Sequence, residues 1–105
     1  MSSPKKDLLS LQELSTEEIK SIIAGAIDLK KQRSNNTLTV LKNKTGVMIF
    51  EKPSLRTRIT FETAINELGG HCINLASEMV GMGKRESVTD VARNLERIVH
   101  LIVAR

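Results

Sequence analysis

Ser54, Leu55, Arg56 and Thr57 place two hydroxyls, a guanidinium and a run of backbone N–H groups within four positions. If Leu55, Arg56 and Thr57 open a helix, their N–H groups lack intrahelical partners and lie at the positive end of the helix dipole. An anion such as phosphate is favoured there. Ser54 and Thr57 suit capping positions and add hydroxyl donors, and Arg56 offers a planar fork able to grip two oxygens at once. Arg56 and Arg58 together in a first helical turn oppose the dipole's preference for acidic residues, and that breach of a local rule points to function. Simpler roles exist beside these. Ser54 alone is an ordinary N-cap, Pro53 shapes the loop, and Arg58 has Glu62 one turn on as an ion-pair partner.

Other chemistry-bearing residues are fewer. Lys84, Arg85 and Glu86 form a charged loop that either is solvated or touches ligand. Arg105 follows an apolar stretch, where its guanidinium could reach the same anion as Arg56. His71 and His100 show no metal-ligand spacing and no accompanying Cys or carboxylate cluster, so a metal site is not expected. Cys72, within an apolar run, reads as a small buried hydrophobe without a base to activate it. Met79 and Met82 flank glycines in a loop, which suits a mobile or interface segment. No carboxylate pair suits acid and base duty.

The elements that must position these residues follow from periodicity and punctuation. Ser2 to Lys6 precede the first apolar pair, so residues 1–10 read as a flexible arm. Ser15 with Glu18 fits a capping box, and Ile19, Ile22, Ile23, Ala26 and Ile27 recur at helical spacing, predicting a helix over about 16–32. After Ser34 to Asn36 and a short apolar link at Leu38 to Leu41, Asn43 to Gly46 supply turn residues before a buried strand at Val47 to Phe50. A polar loop, 51–58, precedes a helix carrying Phe61, Ala64, Ile65 and Leu68, which Gly69 and Gly70 stop. His71 to Ala76 is a second strand, and 77–86 a glycine-bearing loop. Ser87 and Asp90 open a helix with Val88, Val91, Ala92 and Leu95 on one face, and Val99 to Ala104 forms a third strand.

Strand alternating with helix predicts an α/β fold, a parallel sheet flanked by helices with right-handed crossovers. In such sheets ligands bind beyond the carboxyl ends of the strands. The segment 51–58, the loop 77–86 and Arg105 all follow strands, so they should gather at one edge.

Composition narrows the function classes. The chain has 105 residues, enough for one modest domain, with 40% apolar and 27% charged residues, as in a folded domain. Two Phe and no Trp or Tyr imply a thin aliphatic core that buries both Phe50 and Phe61. The formal net charge of +4 is interspersed, and the stacking aromatics of a nucleic-acid site are missing, so nucleic-acid binding is not expected. A single Cys permits no internal disulfide, and no signal or membrane-spanning segment is evident, so a cytoplasmic protein is expected.

Phe50-Glu51-Lys52-Pro53-Ser54-Leu55-Arg56-Thr57-Arg58, followed by Thr60-Phe61-Glu62, resembles the carbamoyl-phosphate motif of the aspartate and ornithine carbamoyltransferases. The resemblance continues through Glu67-Leu68-Gly69-Gly70, Gly83-Lys84-Arg85-Glu86-Ser87, Asp90-Val91-Ala92-Arg93 and Ile102-Val103-Ala104-Arg105, covering nearly everything from residue 45 onward. Lys52-Pro53 and the Gly-Lys-Arg-Glu-Ser loop look more like the ornithine than the aspartate branch.

What the resemblance implies is specific. Ser54, Leu55 through its N–H, Arg56, Thr57 and Arg105 would bind carbamoyl phosphate, with Arg56 and Arg105 catalytic and no cofactor or metal. The loop carrying Gly81 and Lys84 would approach a neighbouring subunit of a homotrimer. Leu55 departs from the usual Thr, and Gly81 from the usual Gln or His. Losing the hydroxyl at Leu55 removes a hydrogen bond of about 0.5–1.5 kcal/mol net. Residues 11–105 would be an incomplete carbamoyl-phosphate-binding domain of a two-domain transcarbamylase. The family's His-Pro-x-Gln segment and second domain, which would bind L-ornithine, would follow Arg105. Aspartate, putrescine or an acylated ornithine is the alternative acceptor, and a non-catalytic anion-binding module the alternative function at this length.

Overall fold

A computed structural model describes residues 7–33, 38–50, 55–76 and 87–105. The chain divides into two compact units, Met1–Asn35 and Asn36–Arg105.

The first unit holds a 3₁₀ turn, Leu11–Glu13, whose preceding Ser10 hydroxyl accepts from the Gln12 N–H, and helix α1, Thr16–Lys31. The expected capping box is present: Ser15 Oγ accepts from the Glu18 N–H at 3.1 Å, and the Glu18 carboxylate accepts from the Ser15 N–H at 2.9 Å. Glu17 and Glu18 in the first turn and Lys30 and Lys31 in the last complement the helix dipole. Gln32 is the C-cap, so α1 ends one residue short of its expected limit. No residue of α1 is buried, and Ile22, Ile23 and Ile27 are all more than half exposed.

The second unit contains β1 (Thr45–Phe50), α2 (Leu55–Glu67), β2 (His71–Ala76), α3 (Val88–Ile98) and β3 (Leu101–Ala104). The three strands form a parallel sheet in the order β2-β1-β3. Thr45 stands opposite His71 and Phe50 opposite Ala76, while Gly46 to Ile49 pair with Leu101 to Ala104. The central strand β1 supplies the core: Val47 is 1% exposed, Met48 0% and Ile49 5%. Burial of successive residues is what a strand between two parallel neighbours and covered on both faces requires. Among the described residues, Ile65 of α2 and Val91 of α3 complete the buried apolar set, each such side chain stabilising the fold by about 1.5–3 kcal/mol.

Several boundaries differ from those expected, for physical reasons. Asn43, at φ +62°, makes the turn into the sheet, so Thr45 and Gly46 pair as strand rather than serving as turn. Leu55 to Arg58 form the first turn of α2, as the helix-start reading of the motif requires, so the loop expected over 51–58 ends before Leu55. Val99 donates its N–H to the Leu95 carbonyl at 2.9 Å as the C-cap of α3, which delays β3 to Leu101. Gly69 and Gly70 do stop α2. The Gly69 N–H bonds the Asn66 carbonyl and the Gly70 N–H the Ile65 carbonyl, a Schellman closure whose φ of +90° at Gly69 suits glycine.

Phe50 and Phe61 are less buried than their apolar settings predict. Phe50 is half-buried and Phe61 is 42% exposed, because α2 lays only Ile65 fully into the core of this narrow sheet. Cys72 is likewise half-buried, on the outer strand β2. On α3 only Val91 of the predicted apolar face is buried; Leu95 is half-buried, and Val88 and Ala92 are exposed.

Candidate anion site at the strand ends

Helix α2 opens at Leu55, so Leu55, Arg56 and Thr57 are its first three residues, and their N–H groups have no carbonyl one turn earlier within the helix. The first turns of α1 and α3 carry acidic residues, Glu17 and Glu18 in one and Asp90 in the other, whereas that of α2 carries none. The positive end of the α2 dipole is therefore reinforced by arginine instead of being offset by carboxylate.

Arg105 reaches the same place from the end of β3. Its N–H donates to the Ile49 carbonyl at 3.0 Å, carrying the ladder one residue past the strand, and its Nη1 donates to Thr57 Oγ1 at 3.2 Å. That second bond joins residues 48 positions apart and brings the start of α2 and the end of β3 together. Thr57 is half-buried; Leu55, Arg56 and Arg105 are exposed. The Thr60 hydroxyl donates back to the Arg56 carbonyl at 2.7 Å, within the helix.

Arg58 behaves as its spacing predicted, with Nε 4.0 Å from Glu62 Oε2. Both side chains are substantially solvated, so the pair contributes little. Burial, and after it the negative charge of Glu62, pushes the Cys72 thiol above its ordinary range, which keeps it protonated and a weak nucleophile. Ser54, Gly81, Lys84 and the rest of 77–86 lie outside the described residues. Among the described residues no group of three or more His, Cys, Asp or Glu could hold a metal ion, and no helix is long and apolar enough to cross a membrane.

Two contacts had no individual signal in the sequence. The Arg105–Thr57 bond makes specific the general expectation that Arg105 lies near Arg56. His100, read as an ordinary surface histidine, accepts the Thr45 N–H on Nδ1 at 3.1 Å and donates its own N–H to the Thr45 carbonyl at 2.9 Å. Only strand pairing brings His100 and Thr45 together.

A parallel sheet with α2 opening beyond the end of its central strand, and an arginine arriving from the neighbouring strand, defines an α/β domain of the kind that takes ligands at its strand ends. Residues 6–105 match the family described as aspartate/ornithine carbamoyltransferase, carbamoyl-P binding domain, and the chain belongs to that family. It is 45% identical over 102 residues to the ornithine carbamoyltransferase of Methanosarcina mazei, an alignment covering 96% of this chain and 34% of that protein. The ornithine carbamoyltransferase structure from Pyrococcus furiosus matches with a TM-score of 0.89 at 40% identity, over 95% of this chain and 32% of that one. The catalytic subunit of the M. jannaschii aspartate transcarbamoylase matches with a TM-score of 0.85 at 32% identity, over 96% and 34% of the two chains. The chain thus spans about a third of the length of its relatives, a part of the transcarbamylase architecture carrying the expected parallel sheet and helices.

Proposed function

We propose that this chain provides the carbamoyl-phosphate-binding part of an ornithine carbamoyltransferase, which moves the carbamoyl group from carbamoyl phosphate to the side-chain amine of L-ornithine, giving L-citrulline and phosphate. The meeting of Arg105 with Thr57 at the N-terminus of α2 is the observation that carries this reading. An acceptor-only anion beside these donors would receive N–H groups from Leu55, Arg56 and Thr57, hydroxyls from Ser54 and Thr57, and the Arg56 fork.

In the reaction, the deprotonated amine attacks the carbamoyl carbon, a tetrahedral intermediate forms, and the C–O bond to phosphate breaks. Arg56 and the helix N-terminus stabilise the departing phosphate, and Arg105 polarises the carbamoyl oxygen. This strategy is electrostatic, relying on donors held in place before charge develops. Ornithine as acceptor is favoured by the names of the relatives and by Lys52-Pro53, and aspartate is the competing reading because an aspartate transcarbamoylase is also similar. Assembly as a cytoplasmic homotrimer, with Gly81 and Lys84 near a subunit boundary, belongs to the same proposal.

The test is a steady-state amine screen on the full-length gene product with carbamoyl phosphate. Turnover with L-ornithine is expected. Turnover with aspartate, putrescine or an acylated ornithine alone would replace the acceptor and leave the carbamoyl-phosphate site in place.

A further inference from the structure

Two threonine hydroxyls near the start of α2 are used in opposite senses. Thr60 Oγ1 gives its proton to the Arg56 carbonyl at 2.7 Å, so that proton is committed within the helix. Thr57 Oγ1 instead accepts, taking Nη1–H of Arg105 at 3.2 Å. A hydroxyl has one proton and two acceptor lobes, so accepting from a guanidinium leaves its proton to be given elsewhere. It also turns that proton away from the guanidinium. The cation draws density from the oxygen, which strengthens the hydroxyl as a donor.

We infer that Arg105, beside the contact with the carbamoyl oxygen proposed above, is a positioning residue for Thr57: its guanidinium orients and polarises the Thr57 hydroxyl so that it presents a proton to an oxygen of the bound phosphate group. This rests on the anion-site reading above and adds to it, because it makes Thr57 and Arg105 one unit rather than two independent contacts. The arrangement selects a ligand with an acceptor oxygen at that point.

The two residues can be tested as a pair through calorimetric binding of inorganic phosphate to the full chain. The set is the parent, Arg105→Lys, Thr57→Val, the double variant and Thr57→Ser, with each fold checked by its thermal midpoint. Lysine keeps the charge but not the fork, valine removes the hydroxyl at nearly constant shape, and serine retains it. Each of Arg105→Lys and Thr57→Val is expected to weaken binding about tenfold, the loss of one charge-assisted hydrogen bond. The double variant should be little weaker than either single one, and Arg105→Lys should again cost about tenfold in the Thr57→Ser background. A roughly hundredfold loss in the double variant means that the residues act independently, which overturns this inference and leaves the anion site standing. A folded parent that binds no phosphate overturns both.

Discussion

The two ends of the sheet are tied by the same device and left in different states. At the amino end, His100 closes onto Thr45 with both its ring Nδ1 and its backbone N–H, at 3.1 and 2.9 Å, and His71 donates its N–H to the Lys44 carbonyl at 2.9 Å. The Thr45 N–H and carbonyl are thereby both satisfied. At the carboxyl end, the bond from Arg105 to Thr57 at 3.2 Å joins two side chains, a guanidinium that donates and a hydroxyl that accepts. One end is a finished piece of structure. The other brings together the groups proposed to receive the anion, so the contrast is between an edge closed by backbone contacts and one tied by side chains of the proposed site.

The largest expected effect lies at the carboxyl end. Arg56→Ala should weaken phosphate or carbamoyl-phosphate binding by about 100-fold, as losing a two-point charged contact requires, while scarcely moving the thermal midpoint. Calorimetry beside a thermal melt checks it, and unchanged affinity would remove Arg56 from the site.

Gly46→Val should show the opposite signature at the amino end. A Cβ there would stand 3.0 Å from Ile65 Cδ1 and 3.3 Å from Leu101 Cδ2, so overpacking should destabilise the fold by about 1–3 kcal/mol in urea titrations. Anion affinity of the folded fraction should hold. A loss of affinity at constant stability would dissolve the contrast between the ends.

His100→Ala comes next, at about 1 kcal/mol, because the Thr45 N–H loses its partner but is exposed enough to bond water. Urea midpoints would register it, and no change would make the tether an incidental contact.

The smallest effect concerns Cys72. Its thiol is raised in the folded chain, so the native state holds that proton longer than the unfolded chain does, and stability should decline as pH climbs past the ordinary thiol range. Alkylation of native Cys72 should accordingly need a higher pH than alkylation of an unstructured peptide. Equal pH profiles would show that neither burial nor Glu62 governs the thiol.

Much of this molecule is legible locally. Ser15 with Glu18, Ser87 with the Asp90 N–H, and the glycine pair after α2 mark helix ends by contacts a few residues apart, and the structure has all three. β2 runs from His71 to Ala76 as its apolar run predicted, and the Ser-Leu-Arg-Thr segment read as a helix start proves to be one from Leu55 onward. Thr45 and Gly46 depart from expectation because their state depends on partners far away in the chain, whereas Val99 stays out of β3 by capping α3 on Leu95, four residues back. Thr45 and Gly46 become strand by pairing with His71, Cys72 and Leu101, which outweighs their turn-like composition. Phe61 was placed in the core by its spacing, but spacing identifies a helix face without showing how much sheet lies beneath it.

Local sequence was enough for the alternation of strand and helix and for the helix boundaries marked by caps, and it supplied the expectation of an anion motif at Ser54 to Thr57, since each depends on residues within about one helical turn or one strand length. Tertiary structure decided that β1 lies between β2 and β3, that His100 closes the amino end, and that Arg105 meets Thr57 across 48 residues of chain. Those contacts form only once the sheet has brought distant segments into register, so their geometry is a property of the assembled fold.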